Sequence, residues 1–193
     1  MVTERRRRRI EEVLDRRQPD LTLLAEYVFK PHNLSALLRT ADAAGVGRVH
    51  AVHPHQGVPT YTDTSAGSQE WVEVVVHPDL PSALASLRGE GFRLIAAHLG
   101  DAAPYDAVDY TGPTCFLIGN ERDGVSAVAV EEADVLVRIP MAGMVESLNV
   151  SVATGILLFE AVAQRRRAGR YGRPRLPAAE RARLEELWTE RRE

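Results

Sequence analysis

Short apolar runs alternate with helical stretches along almost the whole chain, and that alternation limits what it can fold into. "LTLLAEYVF" (21–29), "RVHAVHP" (48–54), "WVEVVVHP" (71–78), "FRLIAAHL" (92–99), "TCFLIG" (114–119) and "DVLVRIP" (134–140) read as strands. Several are nearly continuous in apolar residues, as strands covered on both faces are. Between them, "NLSALLRTADAAG" places Leu34, Leu37, Leu38 and Ala41 at helical period, with Asn33 as a candidate N-cap and Gly45 as the stop. "DLPSALASLRGEG", "SAVAVEEA" and residues 147–166 read as further helices, as do Glu4 to Arg17 and a closing stretch from about Ala178 to Arg192. Strands alternating with helices predict an α/β fold built on a parallel sheet.

At 193 residues, one domain is expected, long enough to bury roughly 70% of the surface its unfolded form exposes. No internal repeat or long linker interrupts it. The longest apolar stretch, Val150 to Phe159, is broken by Ser151, Thr154 and Gly155, too short and polar to span a bilayer. The opening "MVTERRRRRIEEVLDRR" has no apolar segment behind its charges, so a cytoplasmic protein is expected. Cys115 is the only cysteine and lies in an apolar run. It reads as a core residue, and a zinc cluster is not expected.

The net charge of -3 hides a segregation: residues 1–17 carry +3, residues 164–193 carry +5, and the middle carries -11. Of the 24 cations all but Lys30 are arginine, whose guanidinium fork matches phosphate oxygens. Arginine runs at both ends suit contact with nucleic acid. Solvated helices with Glu–Arg pairing would give the same composition.

Ligand sites in parallel α/β folds lie beyond the carboxyl ends of the strands, which selects three segments. The first, "KPHNLSALLRTADAAG", carries Asn33 and Arg39 near the start and middle of one helix, where they can meet a ribose and a phosphate, or simply be a cap and a surface arginine. The second, "LIGNERDGVS", offers Gly119 for close backbone approach, Glu121 as a carboxylate, Gly124 for a turn and Ser126 as a cap. The third, "IPMAGMVESLNVSVATGILLFEA", offers Ser147 and Asn149 at the start of an otherwise apolar helix. Neither a phosphate-loop spacing nor a dinucleotide fingerprint is present. His53 and His55 fall in a Pro/Gly-flanked loop and are expected to be solvated, so no metal is expected.

Taken together, in this order and spacing, the three segments resemble the signature motifs of the SpoU branch of the SPOUT class, S-adenosylmethionine-dependent RNA 2′-O-ribose methyltransferases. The resemblance covers nearly the whole chain. The short helix before the catalytic fold and the one after it look most like members that methylate guanosine 18 in the D-loop of tRNA. Another tRNA or rRNA nucleotide, or an RNA-binding dimer without transfer, are the alternatives.

The resemblance implies a C-terminal trefoil knot in which the last strand, loop and helix pass through an earlier loop. Residues 1–19 would form a basic helical extension, 20–166 the methyltransferase domain with its knot, and 167–193 a basic loop and helix. S-adenosylmethionine would be wrapped by Ala97, His98 and Leu99, by Gly119 and Asn120, and by Ile139, Met141, Met144, Ser147 and Leu148. Asn33, Arg39, Glu121, Ser147 and Asn149 would be the catalytic set. A guanidinium is very hard to deprotonate, so Arg39 is read as a phosphate clamp that positions the ribose hydroxyl, leaving the proton acceptor open. Arg8, Arg9, Ser35, Arg165, Arg166, Arg167, Arg170 and Arg173 are the expected contacts to tRNA. The family resemblance further implies a homodimer whose sites borrow residues across the two-fold axis, with no metal and no membrane.

Overall fold

A computed structural model describes residues 2–28, 30–52, 70–120 and 122–191. Seven parallel strands form one sheet: β1 (Leu21–Glu26), β2 (Arg48–Val52), β3 (Glu73–His77), β4 (Arg93–Ala97), β5 (Ala103–Pro104), β6 (Thr114–Ile118) and β7 (Val135–Arg138). Their spatial order is β3-β2-β1-β6-β4-β7-β5. The helices are α1 (Glu4–Arg16), α2 (Pro31–Ala43), α3 (Leu80–Gly89), α4 (Ala127–Glu132), α5 (Val150–Arg167) and α6 (Ala178–Glu190).

Side-chain alternation in the central strands explains the layering. Leu23 and Phe116 pair in register and feed one core with Leu37, Leu38, Leu157 and Leu158 of α2 and α5. Their neighbours Leu24 and Leu117 also pair, but point to the opposite core, against Leu80, Leu84 and Leu87 of α3 and Ala129 of α4. Each such leucine contributes about 1.5–3 kcal/mol on burial. Cys115 is fully buried in the second core. A third, smaller cluster joins the chain ends: Ile10 and Leu14 of α1 meet Trp188 of α6, which also packs edge-to-face against Trp71 at 5.3 Å.

Three local readings are corrected by the structure. β1 stops at Glu26 because Tyr27 takes φ 51, out of the extended region; Phe29 lies outside the described residues, as do His53 and His55. Asn33 is not a cap. Pro31 opens α2, where its fixed φ suits the first turn, so Lys30 takes the cap position and Asn33 sits within the first turn, 1% exposed. Helix α5 starts at Val150 rather than 147, since Asn149 caps it by accepting the Ser151 N–H at 2.8 Å. Gly45, with φ +83, follows α2 as expected of a helix stop. The two-residue strand β5 and the 3-10 turn at Tyr105–Ala107 are too short to leave a periodic signal.

Candidate active site

A cavity of about 500 Å³ opens at the carboxyl ends of β4, β6 and β7, the crevice position that a parallel sheet provides. Three loops build it. The first follows β4 and contributes Ala97, His98 and Leu99, held to β7 by the His98 N–H donating to the Val137 carbonyl at 2.9 Å. The second follows β6 and brings Gly119 and Asn120 to the wall. Asn120 and Gly124 exchange two backbone hydrogen bonds, of 3.0 and 3.1 Å, and the Asn120 side-chain oxygen accepts the N–H groups of Arg122 and Asp123. So tight is this turn that a Cβ on Gly119 would lie 1.8 Å from the Gly124 carbonyl carbon and oxygen. Only glycine fits there.

The third loop, 139–149, supplies Ile139, Met141, Ser147, Leu148 and Asn149. It is tied across to α2: the Asn149 side-chain amide donates to the Asn33 side-chain oxygen at 3.3 Å. Farther along, Gly155 of α5 faces the Thr40 methyl of α2, so the two helices run side by side in the same direction with their N-termini together. Glu26, only 3% exposed, braces the second loop by accepting the Ser126 N–H at 2.9 Å through one carboxylate oxygen. Sequence reasoning gave Glu26 no role; its place at the end of a central strand was the available signal.

Every residue expected around a cofactor lines this cavity except Met144, which is fully exposed. Of the expected catalytic set, Ser147 and Asn149 are at the cavity and Asn33 is one hydrogen bond behind it. Arg39 does not line it. It lies six residues beyond Asn33, about 9 Å along the helix, on the exposed face of α2. Glu121 lies outside the described residues. The cavity walls also include Lys30, Arg122, Asp123, Arg138 and Leu157, which sequence reasoning did not select.

The expected RNA contacts divide sharply. Arg166, Arg167 and Arg173 are exposed, and Arg8 and Arg9 make only exposed pairs with Glu4 and Glu12. Ser35 is 5% exposed, on the packed side of α2, and is not available to RNA in this chain. Arg165 is corrected most strongly: it is fully buried, donating to the carbonyls of Tyr110, Asp20 and Gly112, to the Asp20 carboxylate at 2.6 Å and to Gln18. Arg170 and Arg175 close on the same Asp20. Burial alone would raise the Asp20 carboxyl, but hydrogen bonds and charge from Arg175 and Arg165 hold it below its usual value. Arg165 thus locks α5 to the chain start of β1.

Among the described residues, no group of three or more His, Cys, Asp or Glu side chains is placed to hold a metal ion, and no helix is long and apolar enough to cross a membrane. Against known proteins, residues 20–159 match the SpoU rRNA Methylase family. The chain is 59% identical over 175 residues to the tRNA (guanosine(18)-2'-O)-methyltransferase of Thermus thermophilus, covering 90% of each protein. Its fold superposes on the crystal structure of the Aquifex aeolicus TrmH/SpoU tRNA modifying enzyme with a TM-score of 0.90 at 40% identity, covering 96% of this chain and 95% of that one. The SpoU methyltransferase AviRb from Streptomyces viridochromogenes, solved in complex with the cofactor AdoMet, aligns with a TM-score of 0.70 at 28% identity, over 78% of this chain and 58% of that one.

Proposed function

The chain belongs to the SpoU rRNA methylase family, and from that premise we propose that it transfers a methyl group from S-adenosylmethionine to the ribose 2′-OH of guanosine 18 in tRNA. The observation that carries this reading is the convergence of all three loops on one cavity at the strand ends, with Asn149 reaching from its wall to Asn33 of α2. The substrate follows from the relatives: the family's description names rRNA, whereas the Thermus protein, similar over 90% of both chains, acts on guanosine 18 of tRNA.

The residues present fit the cofactor. The volume lies in the range of small-molecule sites, and Ile118, Ile139, Met141, Leu148 and Leu157 give the apolar walls that an adenine needs. Ala97 to Leu99, Gly119 and Asn120 would hold it through backbone groups at its edge. When bound, S-adenosylmethionine supplies an electrophilic methyl on its sulfonium. The protein's part is alignment and removal of the hydroxyl proton. Asn149 orients the 139–149 loop through its own cap and through Asn33. Glu121, two residues after Gly119 in the sequence, is assigned with Ser147 to orienting the ribose. Arg39 clamps a substrate phosphate through its guanidinium fork and positions the hydroxyl.

Because Arg39 does not line the cavity of its own chain, the reading includes a homodimer in which α2 of one subunit faces the site of the other. Val152 and Phe159, seven residues apart on α5, are about half exposed, and Met144 and Val145 of the preceding loop are exposed as well. Such a patch fits a second copy, which would bring Met144 toward a cofactor. The knot belongs to the same proposal: the 139–149 loop runs from β7 back to α2, bringing α5 beside it. The exposed arginines of both chain ends would flank the tRNA. The test is methyl transfer from labelled S-adenosylmethionine to an unmodified tRNA transcript, with the modified nucleotide mapped. Arg39→Ala is expected to lose transfer and keep cofactor binding; normal transfer by that variant overturns its role.

A further inference from the structure

Three cations stand at the cavity mouth outside both the apolar cofactor walls and the catalytic set. Lys30, Arg122 and Arg138 all line the cavity and all are exposed. Each comes from a separate segment: Lys30 from the cap position of α2, Arg122 from the turn after β6, Arg138 from the last residue of β7. The stretch from 18 to 163 carries a net charge of -11, yet Asp123 is the only acidic side chain among the described residues of this lining.

Their lack of partners separates them from most cations of the chain. Arg48 pairs with Glu73 and Glu90, Arg88 with Glu132 and Asp134, Arg175 with Asp20. By contrast, the side chains of Lys30, Arg122 and Arg138 form no hydrogen bond or ion pair with the described residues; Arg122 engages only through its backbone N–H, to Asn120. Like charges gathered at a concave opening repel one another and focus a positive potential there, which an incoming anion relieves. The α2 N-terminus adds to it, since this 13-residue helix has no side-chain cap to consume its positive end.

Resting on the function proposed above, we infer that Lys30, Arg122 and Arg138 form a phosphate clamp that seats the backbone of the RNA across the cavity mouth, flanking the ribose to be methylated. A carboxylate on the cofactor is the other anion that could meet the same cations. The clamp is distinct from Arg39, which does not line this cavity, and from the terminal arginines, which would grip the tRNA at a distance from the reacting sugar.

The test is equilibrium binding of an unmodified tRNA transcript to the full-length protein between 50 and 200 mM KCl, with wild type, the single Gln substitutions, the triple K30Q/R122Q/R138Q variant and Arg122→Lys. Each phosphate contact contributes about 0.7–0.9 to the slope of log Kd against log salt. The triple variant is therefore expected to flatten the slope by about 2 to 3 and weaken binding about tenfold or more near 0.1 M salt, with Arg122→Lys close to wild type. Calorimetry with S-adenosylmethionine alone should give wild-type affinity for every variant. An unchanged slope in the triple variant overturns the clamp. So does a loss of S-adenosylmethionine affinity with tRNA binding intact, which would assign the cations to the cofactor. Methyl transfer is measured in parallel: a wild type that binds tRNA with a slope lowered by the substitutions but transfers nothing would overturn the proposed function and leave the clamp standing.

Discussion

Replacing Arg165 by methionine is expected to cost folding stability, not surface charge. The guanidinium is fully buried and makes bonds to five acceptor groups, one of them the Asp20 carboxylate at 2.6 Å. Burial pulls its pKa below the usual value while Asp20 opposes that pull, so the pair stands or falls together. Removing one partner of a buried pair costs about 3–5 kcal/mol. Asp20 would keep Arg170 and Arg175, and the methionine would refill part of the volume, which places the loss near the lower end, about 3 kcal/mol. For a chain of this length that is a fall in Tm of about 6–12 °C and a urea midpoint lower by about 1 M or more. Arg166→Gln and Arg167→Gln serve as controls. Arg166 lies over the Tyr171 ring at 5.7 Å, and Arg167 makes an exposed 3.9 Å pair with Glu160; each is worth under about 1 kcal/mol to stability. Their expected effect is on tRNA affinity. An R165M protein that melts within about 2 °C of wild type, or loses tRNA binding with stability intact, would refute the assignment.

Three further outcomes follow from the same geometry. His50 Nδ1 lies 2.9 Å from His77 Nε2 inside the sheet edge, and burial, joined by the charge of His77, lowers His50 to about 4 while burial also lowers His77. Both are neutral in the fold and take protons near pH 6.5 once unfolded, so stability is full above that pH and falls as pH drops toward 4. The His50 share is at most about 3 kcal/mol, and urea titrations of His50→Asn should show a flatter fall; an unaltered slope contradicts it. Gly119→Ala must open the turn at Gly124, lowering S-adenosylmethionine affinity by about tenfold or more by calorimetry, and unchanged affinity would show that the turn does not shape the cavity. Asn149→Asp keeps the cap on α5 but loses the donor to Asn33, so it should spare the roughly 1 kcal/mol of capping while reducing transfer, whereas Asn149→Ala should lose both; equal transfer by the Asp variant and wild type would exclude the bridge.

The elements were legible where side-chain periodicity is strong. The alternation across Leu23, Leu24, Phe116 and Leu117 is what two covered sheet faces require, and the structure divides them accordingly. Boundaries failed where a single backbone choice decided them: Tyr27 ends β1 by leaving the extended region, and Pro31 displaces the cap of α2 from Asn33 to Lys30. The site was legible as three segments because short polar groups after apolar strands mark a crevice. Distance from charge to burial was not. Arg165 and Arg166 are identical in sequence, yet α5 turns one into the core beside Asp20 and the other to solvent. Lys30, Arg122 and Arg138 escaped notice for the converse reason, since no spacing relates three cations whose convergence depends on the order β1-β6-β4-β7.

Methylation of one ribose hydroxyl of tRNA by this chain is decided by two transcripts that differ at a single oxygen. With guanosine at position 18, incorporation of labelled methyl should approach one per tRNA; with 2′-deoxyguanosine there it should vanish, while both bind. Equal incorporation into the two would place the methyl elsewhere and contradict the account.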